Sequence, residues 1–117
     1  MIVVFYSYFI SLLYWIGYGQ LVVAGAFSVV YYPTGAVKIA DRIIDSSGVV
    51  HYTTGNRASE QLPRGGNMPY NMGWRIGVEI DMNTRELVFL VNGQRQPIIV
   101  SNLPSSVMAG VCFSSEF

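Results

Sequence analysis

The sequence predicts an all-β chain folded as an antiparallel β-sandwich, and three observations carry that prediction. Beyond residue 20 no stretch repeats its apolar residues at helical spacing. β-branched and aromatic residues fall instead in short runs bounded by Gly, Pro, Asn and Asp, the pattern of strands and turns. One of these runs alternates: Ile76, Val78 and Ile80 are interleaved with Arg75, Gly77, Glu79 and Asp81. A period of two puts the three aliphatics on one face of a strand and the polar residues on the other.

Composition narrows the function. The 117 residues make one domain at most, and at 51% hydrophobic and 12% charged they are too apolar for a disordered chain. Seven basic and seven acidic residues give zero net charge, and the two signs are interleaved. No basic stripe exists to neutralise a run of phosphates, so nucleic acid is not an expected partner. The single cysteine, Cys112, cannot close an internal disulfide, which favours a reducing, cytoplasmic setting.

The elements follow in order. The first 37 residues hold no Asp, Glu, Lys or Arg. Such a run is long enough to cross a bilayer as a helix, for which ~20 apolar residues suffice. One reading is a membrane anchor over residues 2–18, with Tyr14, Trp15 and Tyr18 at the interface; residues 1–20 would then tether the protein to a membrane. A second is a signal peptide cut near Ala24-Gly25-Ala26. A third takes residues 1–19 as an extension foreign to the domain. The favoured expectation is a helix over roughly residues 2–15, then strands from Gln20, dividing the chain into a hydrophobic segment 1–19 and a β unit 20–117.

Residues 27–32 and 36–43 flank Pro33-Thr34-Gly35, a hairpin turn: Pro presets φ and Gly supplies φ > 0. Ser46-Ser47-Gly48 is a further turn, followed by a strand over 49–53. Residues 55–71, with three glycines, two prolines and few aliphatics, read as a long surface loop. After the alternating strand, Asp81 to Arg85 carries turn chemistry. Leu87, Phe89 and Val91 resume the alternation, with Val88 and Leu90 also apolar, so this strand is expected to be covered on both faces. Asn92-Gly93 is the strongest hairpin signal in the chain. Strands over 97–100 and 107–113, with a bend at Asn102-Leu103-Pro104, complete the pattern.

Over residues 74–113 the order of residues becomes specific. The stretch WRIGVEIDMNTRELVFLVNGQ resembles the core of the SPRY (B30.2) domain, through Ile76, Gly77, Val78, Asp81, Leu87, Phe89, Asn92, Gly93, Asn102, Leu103 and Pro104. It departs from that pattern at Trp74, where the family usually has Asp. It departs again at the turn after Asp81, where Thr84 and Arg85 stand in place of a glycine. The family's N-terminal strands and a strand beyond Phe113 have no clear counterpart, so the chain reads as the C-terminal part of the domain. The resemblance implies a bent, concanavalin A-like sandwich that binds a peptide or protein surface through loops at one end, without catalysis, metal or cofactor.

On that reading the loops 55–71, 83–85 and 94–96 form the recognition surface. Tyr70 and Trp74 would anchor a bound peptide, with capping the core as the alternative for Trp74. Arg64, Arg85 and Arg95 would supply charge, or be solvated. Two catalytic arrangements merit weighing. Glu79 and Asp81 share a strand face, as acid and nucleophile do in some sandwich glycosidases, but the third carboxylate of that pattern would fall at Asn83 or Thr84. A solvated face with a turn-capping Asp81 fits better, and a carbohydrate-binding or glycoside-hydrolysing sandwich stands as the alternative function. His51 and Cys112 are the only candidates for a nucleophile pair, and they are too few for a zinc site. A free Cys in an apolar strand usually acts as a small buried hydrophobe.

Overall fold

The computed structural model describes the backbone of residues 2–6, 10–16, 20–24, 28–71 and 73–112, and side chains within 28–71 and 73–107. All regular structure among them is antiparallel strand, in two sheets. The strands are β1 (Ile2–Tyr6), β2 (Ile10–Ile16), β3 (Gln20–Ala24), β4 (Ser28–Tyr31), β5 (Val37–Ile39), β6 (Arg42–Ile44), β7 (Val49–Tyr52), β8 (Glu60–Gln61), β9 (Arg75–Asp81), β10 (Glu86–Val91), β11 (Gln94–Val100) and β12 (Ser106–Cys112). The wide sheet runs β1-β12-β3-β4-β5-β6-β7-β8 and the narrow one β11-β10-β9-β2. The expected all-β sandwich is therefore the architecture.

The core lies between the sheets. Val29, Tyr31, Val37, Ile39, Ile44 and Val50 come from the wide sheet, and Ile76, Val78, Ile80, Leu87, Phe89, Val91, Ile98 and Val100 from the narrow one. Alternation has the stated effect: β9 buries Ile76, Val78 and Ile80, while Arg75 on its other face is exposed. At its centre the Tyr31 ring packs on Phe89 at 4.8 Å and edge-on to Tyr70 at 4.9 Å. Burial of large apolar side chains of this kind contributes roughly 1.5–3 kcal/mol each. The Tyr31 hydroxyl donates to Met68 O at 2.6 Å and the Tyr70 hydroxyl to Tyr31 O at 2.9 Å, so both polar ends are satisfied. Burial pushes both phenol pKa values well above the usual range.

The N-terminal expectation needs correction. Residues 2–6 and 10–16 are strands rather than a helix: β1 pairs with β12 and β2 with β9, one in each sheet. Apolarity and length do not separate a helix from strands. The composition of Ile2–Tyr6 and Ile10–Ile16, rich in β-branched and aromatic residues, suits an extended backbone, and each segment finds a strand edge to pair with. No helix of the described residues is long and apolar enough to cross a membrane. Gly17, Tyr18, Gly19, Gly25, Ala26, Phe27 and Phe113, on which parts of the sequence reading fell, lie outside the described residues.

Local chemistry sets the turns. Gly35 N donates to Tyr32 O at 2.9 Å across Pro33-Thr34, and Gly35 takes a φ of 91°. Asn92 (φ 51°) and Gly93 (φ 85°) close the β10–β11 hairpin. Arg85 has a φ of 57° and adopts the left-handed conformation that a glycine would otherwise fill. The single strand expected over 36–43 is broken into β5 and β6 by a tight turn at Ala40, whose φ is 52°.

The crossover from β8 to β9 positions the candidate site. Residues 62–71 pass from the wide sheet to the narrow one along the outer side of β11. Gly66 lies so close to the preceding hairpin that a Cβ there would overlap the Asp45 carbonyl oxygen and sit 2.8 Å from Gly48 N. Asn67, fully buried, accepts from Ile98 N–H at 2.9 Å through its Oδ1, and Met68 N donates to Gln96 Oε1 at 2.9 Å. Two side-chain amides thus join the crossover to the free edge of β11.

Candidate functional site

Two grooves flank β11. The first, of about 400 Å³, lies on the outer face of the narrow sheet. Its floor comes from alternation along three strands: Glu79 and Asp81 on β9, Val88 on β10, Pro97 and Ile99 on β11. Arg64 from the crossover, Thr84 from the β9–β10 turn and Arg95 at the start of β11 complete it. Ile99 is 51% exposed, the one large hydrophobic left open among the described residues.

Two carboxylates of this groove, Glu79 and Asp81, are engaged. Glu79 forms an ion pair with Arg95. Asp81 Oδ1 accepts from Asn83 N at 2.9 Å and Thr84 N at 3.3 Å, which makes it the turn cap expected from its position. Glu79 is tied to a cation and Asp81 to the turn backbone, the arrangement of a solvated strand face.

The second groove, of about 540 Å³, opens between the sheets on the other side of β11. Ile39, Ile44, Val50 and Leu62 line its depth, and Arg42, Tyr52, Glu60 and Arg64 stand at its mouth. Tyr52 donates to Glu60 Oε1 at 2.9 Å, and Arg57 stacks on its ring at 4.1 Å. The bond to Glu60 raises the Tyr52 pKa. Among the described residues, Arg42 and Arg64 make no ion pair.

The residues named from sequence separate into two groups. Arg64 and Arg95 meet in the first groove, and Thr84 brings the 83–85 turn to it. Arg85 is exposed but outside that lining, and its carbonyl accepts from Leu103 N at 3.1 Å. Tyr70 is a core residue, not an exposed anchor, and Trp74 packs against the core. Residues 94–96 are the start of β11 rather than a loop. Arg57, in the 55–71 segment, is held over the Tyr52 ring.

The catalytic alternatives fare differently. His51 on β7 and Cys112 on β12 are separated in the wide sheet by β6, β5, β4 and β3. At ~4.8 Å per strand spacing that places them roughly 24 Å apart, too far to act together. His51 instead sits 2.9 Å from Asp45 Oδ2. Asp45 also accepts from Ser47 N, Ser47 Oγ and Val49 N, and these bonds, with His51 the strongest, hold its carboxyl well below the usual range. Among the described residues no three His, Cys, Asp or Glu side chains converge.

Against protein-family models, curated proteins and solved structures, the chain returns no match.

The second groove had little sequence signal. Its members come from five strands, the crossover and the bend after β11, and of them Arg64 alone had been named as a candidate binding residue. Each strand's alternation predicts an inward Ile39, Ile44 and Val50, but not that the sheets part at one edge.

Proposed function

We propose that the chain is a non-catalytic recognition module of SPRY type that binds a peptide or a protein surface. The observation that carries this is the first groove. Side chains from all three segments singled out in the sequence, 55–71, 83–85 and 94–96, line one depression around an exposed Ile99. An apolar centre rimmed by Arg64, Arg95 and Glu86 is the chemistry of a small interface, with an aliphatic contact to bury and charges to set register. The order of residues in β9, β10 and their turns supports the SPRY reading. The engagement of Glu79 by Arg95 and of Asp81 by its turn favours recognition over glycoside hydrolysis.

A phage-displayed peptide library and a glycan array, each probed with wild type, Arg95→Glu and Glu79→Gln, test this. Peptides enriched by wild type and lost with Arg95→Glu are the expected result. Glycan binding or glucan hydrolysis that depends on Glu79, without peptide enrichment, would overturn it in favour of the carbohydrate reading.

A further inference from the structure

The outer face of the narrow sheet carries two rows of side chains, fixed by register. Residues directly opposite one another in antiparallel neighbours share a face. Val88 stands opposite Glu79 on β9 and Ile99 on β11, and Glu86 stands opposite Asp81. Val88 and Glu86 are two apart on β10, so the rows lie about 6.8 Å from each other along the strand. The Val88 row is apolar and open. Ile99 is 51% exposed, and Pro97, two residues before it, is exposed as well. Glu79 closes this row without adding a free charge, since Arg95 pairs with it.

The Glu86 row is acidic. Asp81 and Glu86 face each other across the ladder, and like charges so placed destabilise a sheet. Asp81 gives its Oδ1 to the turn, and neither side chain makes an ion pair among the described residues. Arg64, the other cation lining the groove besides Arg95, belongs to the crossover alongside β11 and pairs with neither. Three carboxylates (Glu79, Asp81 and Glu86) against two guanidiniums (Arg64 and Arg95) leave the groove acidic by one charge. We infer that the peptide taken by this groove carries a Lys or Arg two residues from a Val, Ile or Leu, with the aliphatic side chain seated on Ile99 and Val88 and the cation between Asp81 and Glu86. An extended peptide turns residues i and i+2 to the same side about 6.8 Å apart, which matches the spacing of the rows. Adjacent residues would point to opposite sides, and one of the two would leave the sheet. This code rests on the outer groove being a peptide site, as proposed above, and adds which residues are read. It also gives Arg95 its part: without that guanidinium Glu79 would set an unpaired carboxylate against the aliphatic seat.

The test is a selection from a displayed library of random eight-residue peptides by the full chain, wild type and Glu86→Lys side by side. Wild type is expected to enrich Lys or Arg two positions from an aliphatic residue, in either order along the peptide, over the same pair one position apart. Glu86→Lys is expected to enrich Asp or Glu at that position instead. A fluorescent synthetic peptide of the enriched order, Lys-Ser-Val or Val-Ser-Lys in a Gly-Ser frame, is then titrated by polarisation. It should bind Glu86→Lys and Ile99→Ser about tenfold or more less tightly than wild type. The Tm of Glu86→Lys should rise, because an opposite-charge pair replaces the Asp81–Glu86 pair, so its weaker binding does not come from unfolding. Enriched peptides with no basic residue at that spacing, or a preference that Glu86→Lys leaves unchanged, overturn the code while peptide recognition stands. No enrichment by wild type overturns both.

Discussion

The β9–β10 hairpin and the 62–71 crossover are neighbours in space, yet they are specified in opposite ways. The hairpin is built from short-range instructions. Alternation in Arg75–Asp81 selects the buried face, Asp81 caps its own turn, and Asn92 uses its side chain to accept from Arg75 N at 2.9 Å. The crossover has no ladder of its own. It is held by contacts with residues distant in sequence: Gly66 against Asp45, Asn67 with Ile98, Met68 with Tyr31 and Gln96. A segment of the first kind tolerates changes to its surroundings, whereas one of the second kind fails when a single distant partner is lost.

Substitutions can break or sharpen that contrast. The largest effect is expected from Gly66→Ala. The added methyl meets backbone atoms of Asp45, Ser46 and Gly48, which cannot yield as a flexible side chain would. Overpacking of this sort costs about 3 kcal/mol, to be read from urea unfolding. Asn67→Ala comes next. It leaves the buried Ile98 N–H without its acceptor, a loss of about 2 kcal/mol, and hydrogen exchange at Ile98 should accelerate while exchange in β9 does not.

Arg85→Gly acts in the other direction and on the other region. It relieves a left-handed φ of 57° at a residue with a side chain, and is expected to raise stability by about 1 kcal/mol. A fall in Tm would show that the hairpin, too, depends on the contacts of this side chain.

The smallest effect is pH-dependent. Asp45 is held below the unfolded value of about 3.9 by His51, Val49 and Ser47. The folded state therefore binds fewer protons there than the unfolded state, so its contribution is complete above about pH 5 and fades as pH falls toward about 2. Asp45→Asn should lower Tm at neutral pH, and the gap from wild type should close on acidification. A gap that stays constant would mean that Asp45 acts through shape alone.

The same division explains how much could be read in advance. Ile76, Val78, Ile80, Asn92 and Gly93 announced their roles because alternation and φ > 0 turns are local rules. Tyr70 did not. An aromatic ring in a Gly- and Pro-rich stretch reads as a loop anchor, and only the packing of Tyr31 and Phe89 shows that it belongs to the core. Ala40 carries no turn signature, so β5 and β6 merged into one expected strand. The opening apolar run is ambiguous for another reason: strands that find partners far away in sequence (β1 with β12, β2 with β9) look like a helix when only apolarity and length are weighed. Of the candidate site, Arg64 and Arg95 were visible as charges. Their meeting in one groove depends on the crossover path, which no local rule encodes.

The amide cap that Asn67 places on Ile98 has one more consequence. A bare edge strand is a template on which further chains can stack without limit, and proteins with long, flat edges are prone to fibrils. Here the pairing of β11 with β10 is irregular between Val88 and Leu90, opposite Pro97, which has no N–H for a ladder, and the crossover covers the edge at Ile98. Ile98 and Val100 are 4% and 2% exposed, so little of this edge is open to another chain. The narrow sheet is therefore closed at this edge from within the chain, where an exposed ladder would invite a second copy.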